Sequence, residues 1–273
     1  MGSGIAQVAA QSGFNTILFD VNIPAIDKAK VSIEKNLQYL VNKEKISFAE
    51  KIEIYKRIQF TSDIKSCTGE IVIEAIAEIE DAKVALFNEL ANYINEEVIF
   101  ATNTSSLSVS SLQEKIIFPQ RVVGMHFFNP AYIMKLVEVV KGNQTDENIA
   151  TAVADICKQM NKEPVMSNDS PGFIVNRIAR HYYLESLKLV EDGIASYENI
   201  DKILEATGFK MGPFKLMDLI GIDINLAVSQ SMYDAFEKKE RFKPSPLQIE
   251  KVKAGELGKK SGKGFYNYPN KKI

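Results

Sequence analysis

Cysteine is scarce in this chain, which holds only Cys67 and Cys157 among 273 residues. With no CxxC pairing and no Cys/His cluster at metal spacing, the sequence argues against a disulfide framework and against a metal site. Both thiols are expected to be buried apolar filler in a reducing compartment. No apolar run approaches the ~18 residues that a membrane span needs, and the N-terminus lacks the basic-then-apolar pattern of a signal peptide. Met1-Gly2 opens like a myristoylation signal, but Ala6 stands where Ser or Thr is wanted. Neither sign of charge dominates: 33 Lys and Arg against 35 Asp and Glu leave a net −2, which is no footprint for nucleic acid. The expected partners are small molecules or other copies of the chain, in the cytoplasm.

What is present is a packed globular composition, 45% hydrophobic, in a chain long enough for one large domain or two ordinary ones. Up to about residue 170, short apolar runs alternate with helical patterns: "NTILFD", "RIQFT", "EIVIEAI", "EVIFATN", "RVVGMHFF", "LVEVV" and "EPVMS". Such near-continuous apolar strands predict a sheet covered on both faces. Ile26, Ala29, Lys30, Ile33, Leu37, Leu40 and Val41 fall at helical spacing after Pro24, which suits a first turn. The alternation predicts a doubly wound α/β unit over residues 1–170. Past "NDSPGF", Phe173, Ile174, Ile178, Tyr182, Leu187 and Val190 form a helical stripe and no strand follows. A second, all-helical domain is expected over 171–273, with Gly193, Gly208, Gly212 and Gly221 punctuating further helices before the tail "GKKSGKGFYNYP".

Four stretches could carry chemistry. The opening "MGSGIAQVAAQSGFNTILFD" resembles the end of a dinucleotide fingerprint: Gly2 stands as its last glycine, and Asp20 closes the next strand, where a carboxylate accepts from ribose hydroxyls and repels a 2′-phosphate. A small-residue helix and a strand-ending Asp are also common in any α/β protein. "ATNTSSLSVSSL" reads as helix-capping hydroxyls, or as a strand end with one serine pointing into a crevice. In "GMHFFNPAYIMKLVEVV", His126 and Glu138 lie symmetric about Tyr132, so a hairpin would set them opposite one another. A carboxylate beside an imidazole fixes its tautomer and makes a general base near neutral pH, although a purely structural pair fits the same spacing. "SPGFIVNR" places Asn176 one turn into a helix, facing solvent or a polar group in a cleft; His181, the other histidine, is expected on that helix's solvated face.

Taken together and in order, "MGSGIAQ", "EAIAE", "NTSSL", "HFFNP", "KLVEVV", "PGFIVNR", "MGPF" and "GKKSGKGFY" resemble the L-3-hydroxyacyl-CoA dehydrogenase family along the whole chain. The resemblance implies an NAD-dependent oxidoreductase of fatty-acid or butyrate metabolism, acting on an acyl-CoA such as 3-hydroxybutyryl-CoA. It also implies an NAD-binding domain over 1–170 and a helical domain over 171–273 through which family members form dimers. His126 matches the catalytic base and Glu138 the carboxylate that orients it. Ser105 and Asn176 match groups that bind and polarise the reacting oxygen. Gly2, Asp20, Glu78, Lys83, Ser105, Asn129 and Lys260 match positions lining the NAD site. Lys43 matches a lysine that meets the CoA nucleotide, and Asn36 stands near it where relatives often carry serine. No metal is implied.

Two other readings remain open: a sugar-acid dehydrogenase of gulonate type on the same plan, and an inactive relative that binds acyl-CoA. The family also carries a first strand and two further fingerprint glycines before "MGSGIA". A start codon set at an internal methionine is the favoured explanation, ahead of a shortened protein. The sheet of the chain as given is therefore expected to lack its middle strand.

Overall fold

The computed structural model describes residues 1–268. The chain divides into two compact units, Met1–Ser170 and Pro171–Ile273. The first unit runs α1 (Gly2–Gln11), β1 (Thr16–Phe19), α2 (Ile23–Asn42), α3 (Phe48–Lys56), β2 (Ile58–Thr61), β3 (Ile71–Glu74), α4 (Glu80–Leu90), β4 (Ile99–Thr102), α5 (Val109–Gln113), β5 (Val122–Phe127), β6 (Leu136–Lys141), α6 (Glu147–Gln159) and β7 (Glu163–Asn168). Each of the seven apolar runs is a strand. Pro24 sits in the first turn of α2, which buries Ile26, Ala29, Ile33 and Leu37 along one face. Helix α3 starts at a capping box, in which the Ser47 hydroxyl accepts from Glu50 N–H at 3.1 Å and Glu50 accepts from Ser47 N–H at 2.7 Å.

The strands form two sheets that share no hydrogen bonds among the described residues. One is the parallel pair β1–β2; the other has the order β3-β4-β5-β6-β7, with β3, β4 and β5 parallel and β5–β6 antiparallel. Covering on both faces holds for β4, β5 and β6, whose residues are nearly all buried. It fails for β7, an edge strand on which Val165 and Met166 are exposed, because only one neighbour packs beside it. Two cores result: Ile5, Val8, Met125, Val139, Ile149 and Val153 belong to the larger, and Ala10, Leu18, Ile33, Leu37, Ile54 and Ile58 to the smaller. Cys157 is buried as expected, and burial pushes its thiol up to about 12, whereas Cys67 is only half-buried.

The second unit contains α7 (Val175–Glu191), α8 (Tyr197–Ala206), α9 (Pro213–Ile220), α10 (Ile222–Ala235) and α11 (Pro246–Lys253), and no strand among the described residues. Its core gathers Tyr183, Leu187, Ile200, Phe214, Met217, Ile222 and Phe265. Ile178, expected in the buried stripe, is instead exposed, since the buried face of α7 runs through Tyr183 and Leu187. His181 is exposed as expected, although its ring packs 5.3 Å from that of Phe242. Two buried carboxylates hold the unit's last segment. Asp201 caps α9 by accepting from Phe214 and Lys215 N–H and takes the Tyr266 hydroxyl as well. Asp218 accepts from Phe265 and Tyr266 N–H and from the Tyr268 hydroxyl. "MGPF" and "GKGFYNY" are thereby tied into one structure.

Candidate active site

The site is built from the β5–β6 hairpin upward. Its register pairs Gly124 with Val140 and His126 with Glu138, as the symmetric spacing predicts. The strands and α5 press close at Gly124: a Cβ there would fall 2.7 Å from Val140 Cβ and 3.1 Å from Val109 Cγ2. Any larger residue would force β6 or α5 to shift. His126 Nδ1 lies 2.7 Å from Glu138 Oε2, with both side chains buried. A carboxylate at Nδ1 holds the proton there, so Nε2 is the basic nitrogen of the neutral ring. Phe128 packs against the imidazole with ring centroids 4.6 Å apart.

The turn after β4 stands at the same sheet edge, because β3, β4 and β5 are parallel and end together. Asn103 Oδ1 accepts from Phe127 N–H at 2.8 Å, which fastens this turn to the end of β5. Ser105 donates its N–H to Glu78 Oε1 at 2.8 Å, and its hydroxyl has no partner among the described residues. The same oxygen accepts the Thr104 hydroxyl (2.6 Å), the Ser106 hydroxyl (3.0 Å) and Ser106 N–H (3.1 Å). Burial works to raise the Glu78 pKa, but the Thr104 hydroxyl, the Lys83 ammonium and the Ser105 N–H outweigh it and hold the carboxyl below its ordinary value. Lys83, expected along the cofactor site, is only 1% exposed. Its ammonium meets Glu74 at 2.7 and 2.9 Å and Glu78 at 3.2 Å.

The remaining candidates of the first unit are more open. Asp20 follows β1, half-buried, and its Oδ1 accepts from Asn22 N–H at 2.8 Å. That turn sets a carboxylate at the C-terminal end of a parallel strand, where the fold binds ligands. Asn36 donates to Gln7 Oε1 at 3.1 Å, tying α2 to α1. Lys43 caps α2 in solvent, its ammonium 5.8 Å from the Tyr39 ring centre. Gly2 is the first residue of α1, and a Cβ there would meet only Ala75 Cβ at 3.9 Å, so the described neighbours do not demand a glycine. Asn129 is exposed, before a cis peptide bond to Pro130. Two candidates belong to the helical unit. Asn176 is the second residue of α7, half-buried. Lys260 pairs with Asp223 at 2.7 Å; burial works to raise the Asp223 carboxyl, and the lysine helps to bring it below its usual value.

The structure thus brings His126 together with Glu138, and Ser105 with Glu78 and Lys83. Glu74 and Asn103 were not singled out by sequence reasoning. The available signal was a charged residue ending an apolar strand in "IVIEAI" and an amide ending another in "FATN". No group of three or more His, Cys, Asp or Glu able to hold a metal exists among the described residues, and no helix is long and apolar enough to cross a membrane.

The two units match separate models of one family. Residues 1–170 match "3-hydroxyacyl-CoA dehydrogenase, NAD binding domain", and residues 172–268 match "3-hydroxyacyl-CoA dehydrogenase, C-terminal domain". A probable 3-hydroxybutyryl-CoA dehydrogenase of Deinococcus radiodurans is 40% identical over 270 residues, 98% of this chain and 96% of the relative. A 3-hydroxyadipyl-CoA dehydrogenase of Escherichia coli is 42% identical over 98% of this chain, which spans only 57% of that protein's length. The crystal structure of (S)-3-hydroxybutyryl-CoA dehydrogenase from Ralstonia eutropha superposes with a TM-score of 0.94 at 37% identity, covering 99% of this chain and 96% of that one.

Proposed function

Because the chain belongs to the 3-hydroxyacyl-CoA dehydrogenase family, we propose that it interconverts an L-3-hydroxyacyl-CoA and the 3-ketoacyl-CoA, with NAD as cofactor. 3-Hydroxybutyryl-CoA and acetoacetyl-CoA are the pair we assign. The observation that carries this reading is the buried His126–Glu138 contact of 2.7 Å at the C-terminal edge of the parallel strands. In oxidation, His126 Nε2 takes the proton of the 3-hydroxyl as the C3–H bond breaks and the carbonyl forms. Glu138 stabilises the imidazolium that results, and the Ser105 hydroxyl and Asn176 amide polarise the oxygen. Run backwards, His126 returns the proton. When bound, NAD supplies the acceptor or donor for the C3 hydride. The chain fits that cofactor through Asp20, which stands half-exposed at the end of β1 with Oδ2 left for a ribose hydroxyl and a charge that repels a 2′-phosphate. By family match, Glu78, Asn129 and Lys260 are assigned to the cofactor in this reading, and Lys43 and Asn36 to the CoA nucleotide.

A homodimer or larger homo-oligomer formed through the helical unit is part of the same proposal, supported by the exposed Ile194, Ile203 and Phe209. The free state of both cysteines supports a reducing, cytoplasmic setting. The test is turnover by the purified protein. NADH-dependent reduction of acetoacetyl-CoA, faster than with NADPH, is expected. Preference for gulonate would assign the sugar-acid branch instead, and a protein that neither turns over nor binds NADH by calorimetry would be the inactive relative.

A further inference from the structure

We propose that Glu74, at the end of β3, is a positioning residue for the reaction. It acts through Lys83 and Glu78 on the turn that carries Ser105. Glu74 and Lys83 are 2% and 1% exposed. A carboxylate so deep must have its lone pairs filled, and every partner it has belongs to the active-site edge. Oε1 accepts from Ile76 N–H at 2.6 Å and from Lys83 Nζ at 2.7 Å. Oε2 accepts from Lys83 Nζ at 2.9 Å and from the Thr102 hydroxyl at 2.7 Å. Lys83 is thereby fixed on α4, with its remaining reach directed at Glu78 Oε2, 3.2 Å away. The other oxygen of Glu78 collects four donors from Thr104, Ser105 and Ser106, so the backbone of that turn is wrapped around one carboxylate oxygen.

The chain of contacts explains why a lysine is buried beneath this turn. Glu78 alone is 35% exposed at its side chain and sits on the segment between β3 and α4, where solvent would let it rotate. Anchoring its second oxygen to an ammonium that is itself clamped by Glu74, which Thr102 holds in turn, leaves it one orientation. The Ser105 hydroxyl, which has no partner of its own among the described residues, is then aimed by the backbone alone. Thr102 lies on β4, two residues before Thr104, so Glu74 is tied to the turn through the strand as well as through Lys83 and Glu78.

The inference rests on the reading that Ser105 meets the reacting oxygen, and a double-mutant cycle separates the two. In acetoacetyl-CoA reduction with NADH, Glu74→Gln is expected to lower kcat about 10-fold in the wild-type background and less than about 2-fold in Ser105→Ala, since residues acting as a unit are not additive. A merely structural role would lower the melting temperature in both backgrounds and cost the same fraction of kcat in each, which would overturn the proposal. Thr102→Val removes one hydroxyl from Glu74 with little change of shape. It is expected to cost kcat a few-fold by the same route, again only when Ser105 is present; it carries the test if Glu74→Gln does not fold. A wild-type protein without this activity, or a Ser105→Ala variant with unchanged kcat, would instead remove the underlying reading and the proposal with it.

Discussion

The two sheets of the first unit handle polarity in opposite ways. Around β3–β7, the C-terminal edge is filled with buried polar groups held to one another: Glu74, Lys83, Thr102, His126 and Glu138 are all under 9% exposed. Around β1–β2, the interior is apolar apart from Gln7, and the candidate residues Asp20, Asn36 and Lys43 lie half-buried or exposed. Burial accounts for the difference in what each can do. A buried polar group must be satisfied within the protein, so its position is set to within a hydrogen bond before any ligand arrives, which proton transfer requires. An exposed carboxylate or lysine is satisfied by water and waits for a ligand to fix it, which suffices for recognition. On the proposed reading, the five-stranded sheet carries the chemistry and the two-stranded sheet the specificity.

Substitutions on the two sides sharpen this contrast. Among substitutions that keep His126, the largest effect is expected at Glu138→Gln, which leaves the hairpin intact but no longer fixes the His126 tautomer; kcat should fall by at least about 10-fold with NADH affinity unchanged. Asp20→Ser should leave kcat with NADH nearly intact and reduce the preference for NADH over NADPH about 10-fold, or ~1.4 kcal/mol, measured as the ratio of the two affinities. Lys43→Ala should raise the KM for acetoacetyl-CoA only about 2- to 3-fold, and the gap should close at high salt because the charge is fully solvated. A gentler effect follows from Glu78. Its folded carboxyl is held below the ordinary 4.5, so it contributes stability above that pH and loses the contribution as pH falls through the lower, folded value. The melting-temperature difference between wild type and Glu78→Gln should accordingly be full at neutral pH and shrink below about pH 4.5.

Legibility in the sequence followed the same division. The His126–Glu138 pair could be read because an antiparallel hairpin converts symmetric spacing directly into opposition. The seven strands were legible because parallel strands are apolar throughout, yet that rule overstated the covering of β7, whose edge position depends on sheet order rather than on its own residues. Lys83 was assigned to the cofactor from its place in a motif; its enclosure by Glu74 and Glu78 involves a strand, a helix and the segment between them, a three-part contact that no local period encodes. Ile178 followed the stripe by spacing, but the neighbours packed on α7 select a face rotated away from it. Gly2 matched a fingerprint position, and its described surroundings leave room for a side chain.

The most direct test of the division is one variant measured in two ways. For His126→Gln, we expect turnover of acetoacetyl-CoA to fall by ~10²-fold or more while the NADH dissociation constant stays within about 2-fold of wild type, because general-base loss acts on the substrate's proton and not on cofactor binding. A variant that retains a tenth or more of the activity, or that loses NADH binding in parallel with turnover, would contradict the assignment of the chemistry to the buried hairpin.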